Sequence, residues 1–350
     1  MNITPQATPV PGSSQTTRTA SVILGRQDFV STVLRLTGME LYKMRRRVMS
    51  KVLAVIAIVA IVLVFLAVFL FALFMLNSSG ASLLSPACSE VHNRQPCLDH
   101  TPSQADLDQA KHQAVVGASQ SLRLPTSLNV AVQIALTPFT LLIIILVGAM
   151  AGGEYSMGTV RLLSTRGPTR AQFLLAKLAT AVTCSALGIL GMALLAVLLG
   201  AFLNIFLGVD TTLDFLTAAW VGHALLYLLL AILNWTIFGV IAILFGVLGR
   251  ATVAGIVAGI IWFLLEPVVS QIFSLGGSLF PGAGGTLLKA IPDYLIGNNI
   301  EALLQNQGQY IFSGSPAQLS DLHALLVLAV YLAVFIGIAW LVNERRDITN

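Results

Sequence analysis

Side chains able to do chemistry are scarce in this 350-residue chain, because only 10% of its residues are Asp, Glu, Lys or Arg. The densest group lies at 152–177, GGEYSMGTVRLLSTRGPTRAQFLLAK, between two strongly apolar runs. Glu154, Arg161, Arg166, Arg170 and Lys177 supply charge there, while Tyr155, Met157, Val160, Leu162 and Leu163 form an apolar face at helical spacing. That pattern suits contact with a partner or with phosphates better than a reaction. Nucleotide hydrolysis by this chain is not expected. A phosphate-binding loop places Gly directly before its Lys, and Lys43, Lys51, Lys111, Lys177 and Lys289 follow Tyr, Ser, Ala, Ala and Leu. Neither a His-Glu-x-x-His pair nor a Gly-x-Ser-x-Gly elbow occurs. Cys88, His92, Cys97 and His100 are zinc-type ligands, but their spacing matches no common zinc pattern, so no metal is expected.

The elements that would carry these residues are membrane helices. The chain is 56% hydrophobic, far from a soluble domain with roughly 25% charged residues. Continuous apolar runs of about 20 residues cross a bilayer, and such runs span it as helices because lipid offers the backbone no hydrogen bonds. The expected fold is all-α and polytopic, a transmembrane domain over 52–342. Its six spans fall near 52–76, 130–151, 173–207, 215–248, 251–273 and 322–342. Residues 1–20, rich in Pro, Ser and Thr, read as a disordered tail. Polar loops fall at 77–129 and at 274–321, the latter Gly-rich with a partial helix at 298–307; a short tail covers 343–350.

Six spans put both termini on one side of the membrane. With the N-terminus inside, the cytoplasm receives all of the 19 Lys and Arg except Arg94, Lys111, Arg123 and Lys289. The positive-inside rule therefore predicts cytoplasmic termini. The net charge of +4 serves topology, and nucleic acid is not an expected partner. The 77–129 loop then faces the oxidising side, where Cys88 and Cys97 are expected to form a disulfide. Cys184 lies in a span and reads as a small apolar residue.

Residues 21–51 read as a basic amphipathic helix lying at the interface, with a solvated linker as the alternative. It ends in Arg45, Arg46 and Arg47, expected to sit at the lipid phosphates. Glu266, before Pro267 near the outer end of the fifth span, is either a residue of a substrate path or a paired carboxylate at a Pro-induced helix break. His223, Asn204 and Asn234 read as hydrogen-bonding points between helices, and Gly148/Gly152 and Gly255/Gly259 as close-packing positions. The 152–172 loop, broken at Gly152-Gly153 and Gly167-Pro168, is either an ordinary cytoplasmic connection or a docking helix that passes force to the spans on both sides.

The 152–177 motif resembles the first cytoplasmic loop of permease subunits of ABC transporters of the type-2 exporter class. The matching positions are Glu154, then Gly158-Thr159, Leu162-Leu163, Thr169-Arg170 and Lys177. The basic helix ending at Lys51 is similar to that family's elbow helix, and Glu266-Pro267, the broken segment before the last span and the terminal 345–348 are similar to its other parts. The longer 77–129 loop departs from the smallest members. The resemblance implies a cytoplasmic-membrane permease that is not itself an enzyme and holds no cofactor. It would pair with a second copy or a related permease. Two separate ATPase subunits would carry ATP and magnesium. Glu154, Tyr155, Gly158, Thr159, Arg161 and Leu162 would form the ATPase-docking coupling helix, with Arg170 and Lys177 at the membrane phosphates. An ion-gradient-driven transporter and a membrane-anchored sensor are the rival readings. The sequence does not name the substrate: the apolar spans would suit a lipid, drug or hydrophobic peptide, and equally the path could form only at the interface between two permease subunits.

Overall fold

In a computed structural model the described residues are 29–77, scattered positions between 104 and 120, and 122–156, 169–207, 215–280, 282–312 and 314–345. The N-terminal tail, Cys88 and Cys97, and the stretch from Met157 to Pro168 lie outside them. All regular structure among the described residues is helical. The helices are α1 (Phe29–Arg46), α2 (Val48–Asn77), α3 (Thr126–Leu136), α4 (Pro138–Ser156), α5 (Arg170–Leu207) and α6 (Ala218–Gly249). They continue with α7 (Thr252–Leu279), α8 (Ala283–Ala290), a short 3-10 turn (Pro292–Tyr294), α9 (Ile296–Phe312) and α10 (Asp321–Arg345). α2, α5, α6, α7 and α10 are long and apolar enough to cross a membrane, and the bent pair α3–α4 makes a sixth candidate span. The chain is thus a helical protein of membrane-embedded type.

α6 is the hub. It packs against α4, α5, α7, α9 and α10, and 61% of its span is buried in protein, against 11% for α2. A helix apolar all round must be covered on every side, by protein or by lipid. α6 is covered by its neighbours, whereas α2 leaves Val55, Ile58, Leu63 and Phe74 exposed as a lipid-facing surface would.

Glycine sets how closely α4, α6 and α7 approach. A Cβ on Gly152 would lie 2.5 Å from the Ala251 carbonyl oxygen and from the Thr252 backbone; one on Gly255 would lie 2.6 Å from the Ala242 oxygen. Gly148 and Gly259 likewise face Ile256 and Ile144. Both small-residue pairs are therefore helix contacts. Gly152-Gly153, expected as a break, instead lies inside α4, which runs to Ser156. Gly152 is needed for proximity rather than for a turn. The turn between α6 and α7 is tight as expected, with Arg250 in the left-handed region (φ 51°).

The second expected span, drawn as continuous over 130–151, is bent by 50° at Thr137. Pro138 has no N–H to return to the preceding turn, and its ring disfavours a straight helix. The backbone oxygens at the bend find other donors. Trp235 Nε1 donates to the Ala135 oxygen at 2.9 Å, and Thr140 Oγ1 to the Leu136 oxygen at 2.8 Å. Asn234 Nδ2 donates in turn to Thr140 Oγ1 at 3.1 Å, an interhelical hydrogen bond of the kind expected for it.

The 274–321 connection is far more ordered than a glycine-rich loop. α7 continues to Leu279, passing through Pro267 without ending, and α9 is 17 residues long. Amide side chains staple the rest. Asn306 Nδ2 donates to the Leu319 oxygen and to Asp321 Oδ1, and its Oδ1 accepts from Ala317 N–H at 2.7 Å. Asn299 Nδ2 donates to the Asp293 and Leu295 oxygens.

α1 is amphipathic, but its inward face is not the apolar one. Thr32, Leu36, Thr37, Glu40 and Met44 are buried, and α1 lies against α5. Phe29, Val30, Leu34 and Tyr42 stay exposed, as on a helix resting on lipid.

Candidate functional site

Contacts between distant segments sort the described helix ends into two sets. One end of the bundle gathers the C-terminal turns of α1, α4 and α10, the N-terminus of α5 and the α6–α7 turn. The other carries α3, the start of α6, the end of α7, and α9.

At the first end lies a charge cluster. Glu154, in the last turn of α4, is 3% exposed. Its Oε2 pairs with Lys177 Nζ of α5 at 2.8 Å, and its Oε1 with Lys43 Nζ of α1 at 2.9 Å. Lys43 also pairs with Glu40 at 3.0 Å. Lys177 is 1% exposed; it donates to the Met150 oxygen at 3.3 Å and sits 4.6 Å from the Phe173 ring centroid. Arg47 donates to the Ala149 oxygen at 3.3 Å. Three cations thus surround the C-terminal turn of α4, where the helix dipole is negative and carbonyls lack intrahelical partners. Burial alone would lower the Lys43 pKa, but the hydrogen bonds to Glu154 and Glu40 outweigh it and hold the ammonium above its ordinary 10.5.

The start of α5 is equally well specified. Thr169 Oγ1 accepts from Gln172 N–H at 3.3 Å, and Gln172 Oε1 accepts from Thr169 N–H at 2.9 Å, a reciprocal capping box. Arg170 Nη1 donates to the Asn343 and Glu344 oxygens, and Asn343 Nδ2 donates back to the Arg170 oxygen at 3.0 Å. The last turn of α10 is thereby tied to the first turn of α5.

These positions differ in part from what the sequence suggests. Glu154 faces inward, held by two helices, rather than outward. Lys177 lies in the protein interior instead of at the phosphates, because its position on α5 faces α4. Arg170 spends its guanidinium on the α10 carboxyl-terminal carbonyls. Arg45 and Arg46 are exposed, as interface anchors would be, while Arg47 is bound to α4. Tyr155 falls in the last described turn of α4. Gly158, Thr159, Arg161 and Leu162 lie outside the described residues. Lys43 and Glu40 were not legible as members of the cluster, since 111 residues separate Lys43 from Glu154. The capping box could have been found from Thr-x-x-Gln alone.

At the opposite end is a cleft of about 740 Å³ between α3, α6, α7 and α9. Glu266 reaches its wall from α7. The carboxylate is 8% exposed and accepts the Gly297 N–H at 2.6 Å and Trp262 Nε1–H at 3.2 Å. It therefore caps α9 from another helix, where the free N–H groups and the dipole favour an anion. Glu266 is thus a hydrogen-bonded carboxylate that also lines a cavity. The helix break expected beside it does not occur. Tyr227 Oη donates to Asn129 Oδ1 at 2.8 Å within the same wall. His223 Nδ1 lies 2.9 Å from Gln307 Oε1, and its ring stacks on Tyr310. Asn204 is buried with neither side-chain atom in a hydrogen bond. No group of three or more His, Cys, Asp or Glu suited to a metal occurs among the described residues.

Residues 115–349 match a protein family model described as "Protein of unknown function (DUF2705)". The chain belongs to the DUF2705 family. The match covers Glu154 and Lys177, the capping box and the whole cleft, but starts beyond α1 and so leaves Lys43 and Arg47 outside. No curated protein matches the sequence. In this DUF2705 chain the two ends of the bundle are therefore what a functional reading can be built on.

Proposed function

We propose that the chain is the transmembrane permease subunit of an ATP-driven exporter of the ABC type-2 class. ATP is hydrolysed by two separate nucleotide-binding subunits, and a second copy or a related permease completes the membrane part. The observation that carries this reading is the Glu154 cluster. Residues 157–168 follow directly on the turn of α4 that Lys43 and Lys177 clamp. A partner pressing on 157–168 would act at once on α1, α4 and α5, and through Arg170 on α10. The segment's resemblance to an ABC coupling helix supplies the partner.

In this mechanism α1 is the elbow helix, its exposed apolar side resting on lipid. The charge-rich end of the bundle faces the cytoplasm, since Lys43, Arg45, Arg46, Arg47, Arg170 and Lys177 gather there. ATP binding closes the ATPase pair and pushes the coupling segment. Glu154 acts as the pivot rather than as an outer contact, converting that push into a joint movement of the helices it ties. Tyr155, Gly158, Thr159, Arg161 and Leu162 form the docking surface beyond it, with Gly158 allowing close backbone approach.

Affinity purification of the full chain from its native membrane tests this reading. A stoichiometric cytoplasmic ATPase is expected. Gly158→Trp or Arg161→Glu should lose that ATPase, while Glu154→Gln should retain it with transport-stimulated hydrolysis abolished. A chain that purifies without an ATPase, and transports with a bare ion gradient or not at all, would leave the secondary-transporter or sensor reading in its place.

A further inference from the structure

The cleft between α3, α6, α7 and α9 has a chemistry that the apolar spans conceal. Gln271 on α7 and Glu301 and Gln305 on α9 are exposed and make no hydrogen bond to the described chain. Other polar side chains of the same wall are engaged within the fold, as Asn298 is with Ser270 and the Pro292 oxygen and Tyr227 is with Asn129. The three free ones come from two helices yet line one cavity. Unpaired amides and a carboxylate facing hydrocarbon would be costly, so this wall is built for a polar occupant. The remaining lining includes the Tyr227, Phe238, Phe263 and Phe312 rings.

Charge narrows the class. Among the described residues the lining holds two carboxylates, Glu266 and Glu301, and no Lys, Arg or His. Glu266 is committed to the Gly297 backbone. Glu301 is uncommitted. An anion would meet a carboxylate with no cation among the described lining residues to offset it. A lipid chain or hydrophobic drug would strand the amides. An ammonium group would pair with Glu301, the amides would take its hydrogen-bonding groups, and the aromatic faces would favour a cation over a neutral stem. A cavity of about 740 Å³ is within the usual range for small-ligand sites, about 300–1,000 Å³.

We infer that this cleft binds a polyfunctional organic amine, its ammonium group on Glu301 and its polar groups on Gln271 and Gln305. That the amine is cargo rests on the permease reading; that it binds does not. This replaces the apolar substrate suggested by the spans with a cationic, hydrogen-bonding one.

The test is calorimetric titration of the purified full chain, in phosphatidylcholine nanodiscs at low salt, with spermine, sucrose and citrate as probes. Spermine should bind saturably, and sucrose and citrate should not. Glu301→Gln should weaken spermine about tenfold or more, as the loss of a charged hydrogen-bond partner does. Glu344→Gln, at the other end of the bundle, should leave it unchanged, and thermal melts should show both variants folded. No saturable spermine binding, equal binding by the Glu301→Gln protein, or binding of citrate comparable to spermine would each overturn the inference. No ATPase is present in this assay. A null result removes the ligand class and leaves the permease reading standing; a chain that purifies without ATPase removes that reading and leaves the cleft.

Discussion

The two ends of the bundle handle polar groups in opposite ways. Around Glu154 each charge, buried in Glu154 and Lys177 and partly exposed in Lys43 and Arg47, is answered by the chain itself: by ion pairs with Lys177 and Lys43, and by the carbonyls of Ala149 and Met150. In the cleft Glu266 is answered in the same manner by Gly297, but Glu301, Gln271 and Gln305 are left open. A closed network fixes helices relative to one another. An open one leaves hydrogen-bonding capacity for something outside the chain. The same residue types thus serve joint or receptor according to whether their partners are built in.

The sharpest way to break this contrast is to remove one charge from the joint. Glu154→Gln leaves the buried Lys177 ammonium unanswered and should cost about 3–5 kcal/mol, read as a loss of stability in denaturant titration of the solubilised protein. Glu154→Leu combined with Lys177→Met should recover most of that, because the desolvation of both charges disappears together. If the double variant is as unstable as the single, the pair is not what holds α4 to α5.

Packing at the joint comes next. Gly152→Leu drives a side chain into the Ala251–Thr252 backbone and should destabilise by about 1–3 kcal/mol. A Cβ on its neighbour Gly153 would meet the Arg47 guanidinium at 3.8 Å and Thr252 at 3.9 Å, ordinary contact distances, so Gly153→Ala should be neutral or gain up to about 1 kcal/mol from helix propensity. Parallel melts of the two variants measure the difference, and equal losses would mean that α4 and α7 do not meet at Gly152. Thr169→Ala, which removes one half of the α5 capping box, should cost about 1 kcal/mol in the same melts.

At the cleft the changes should be small. Glu301→Gln should alter stability by no more than about 0.5 kcal/mol, since its side chain is exposed and unpaired. A large loss there would make the cleft a second joint. The smallest effect concerns pH. The Lys43 pKa is raised on folding, so its stabilising contribution is fully present below the unfolded value and fades as pH rises through the folded one. The stability difference between wild type and Lys43→Gln should stay constant from about pH 6 to about pH 9, below the ordinary lysine value, and should shrink above about 10.5.

Much of the scaffold was legible because lipid imposes it. Runs such as those of α2 and α6 cross a membrane by length and apolarity alone, and Gly148, Gly152, Gly255 and Gly259 announced close helix contacts through their spacing. The bend at Thr137 was not read from the sequence, although Pro138 is its local signal; Trp235, Thr140 and Asn234 make the break tolerable. The order in 274–321 was hidden, because Asn299 and Asn306 look like loop residues until the backbone oxygens that they bind are in place.

By itself the sequence determined which segments are apolar enough to leave water, where the basic residues concentrate, and that no phosphate-binding loop accompanies them. Those are properties of composition and local spacing, which do not depend on what a side chain touches. Only the tertiary structure decided that Glu154 is a buried joint, that Lys177 turns inward, and that Gln271, Glu301 and Gln305 share one cavity. The physical reason is that an ionisable or amide side chain takes its role from its partners, and here those partners come from other helices, as Lys43 does to Glu154 across 111 residues of chain.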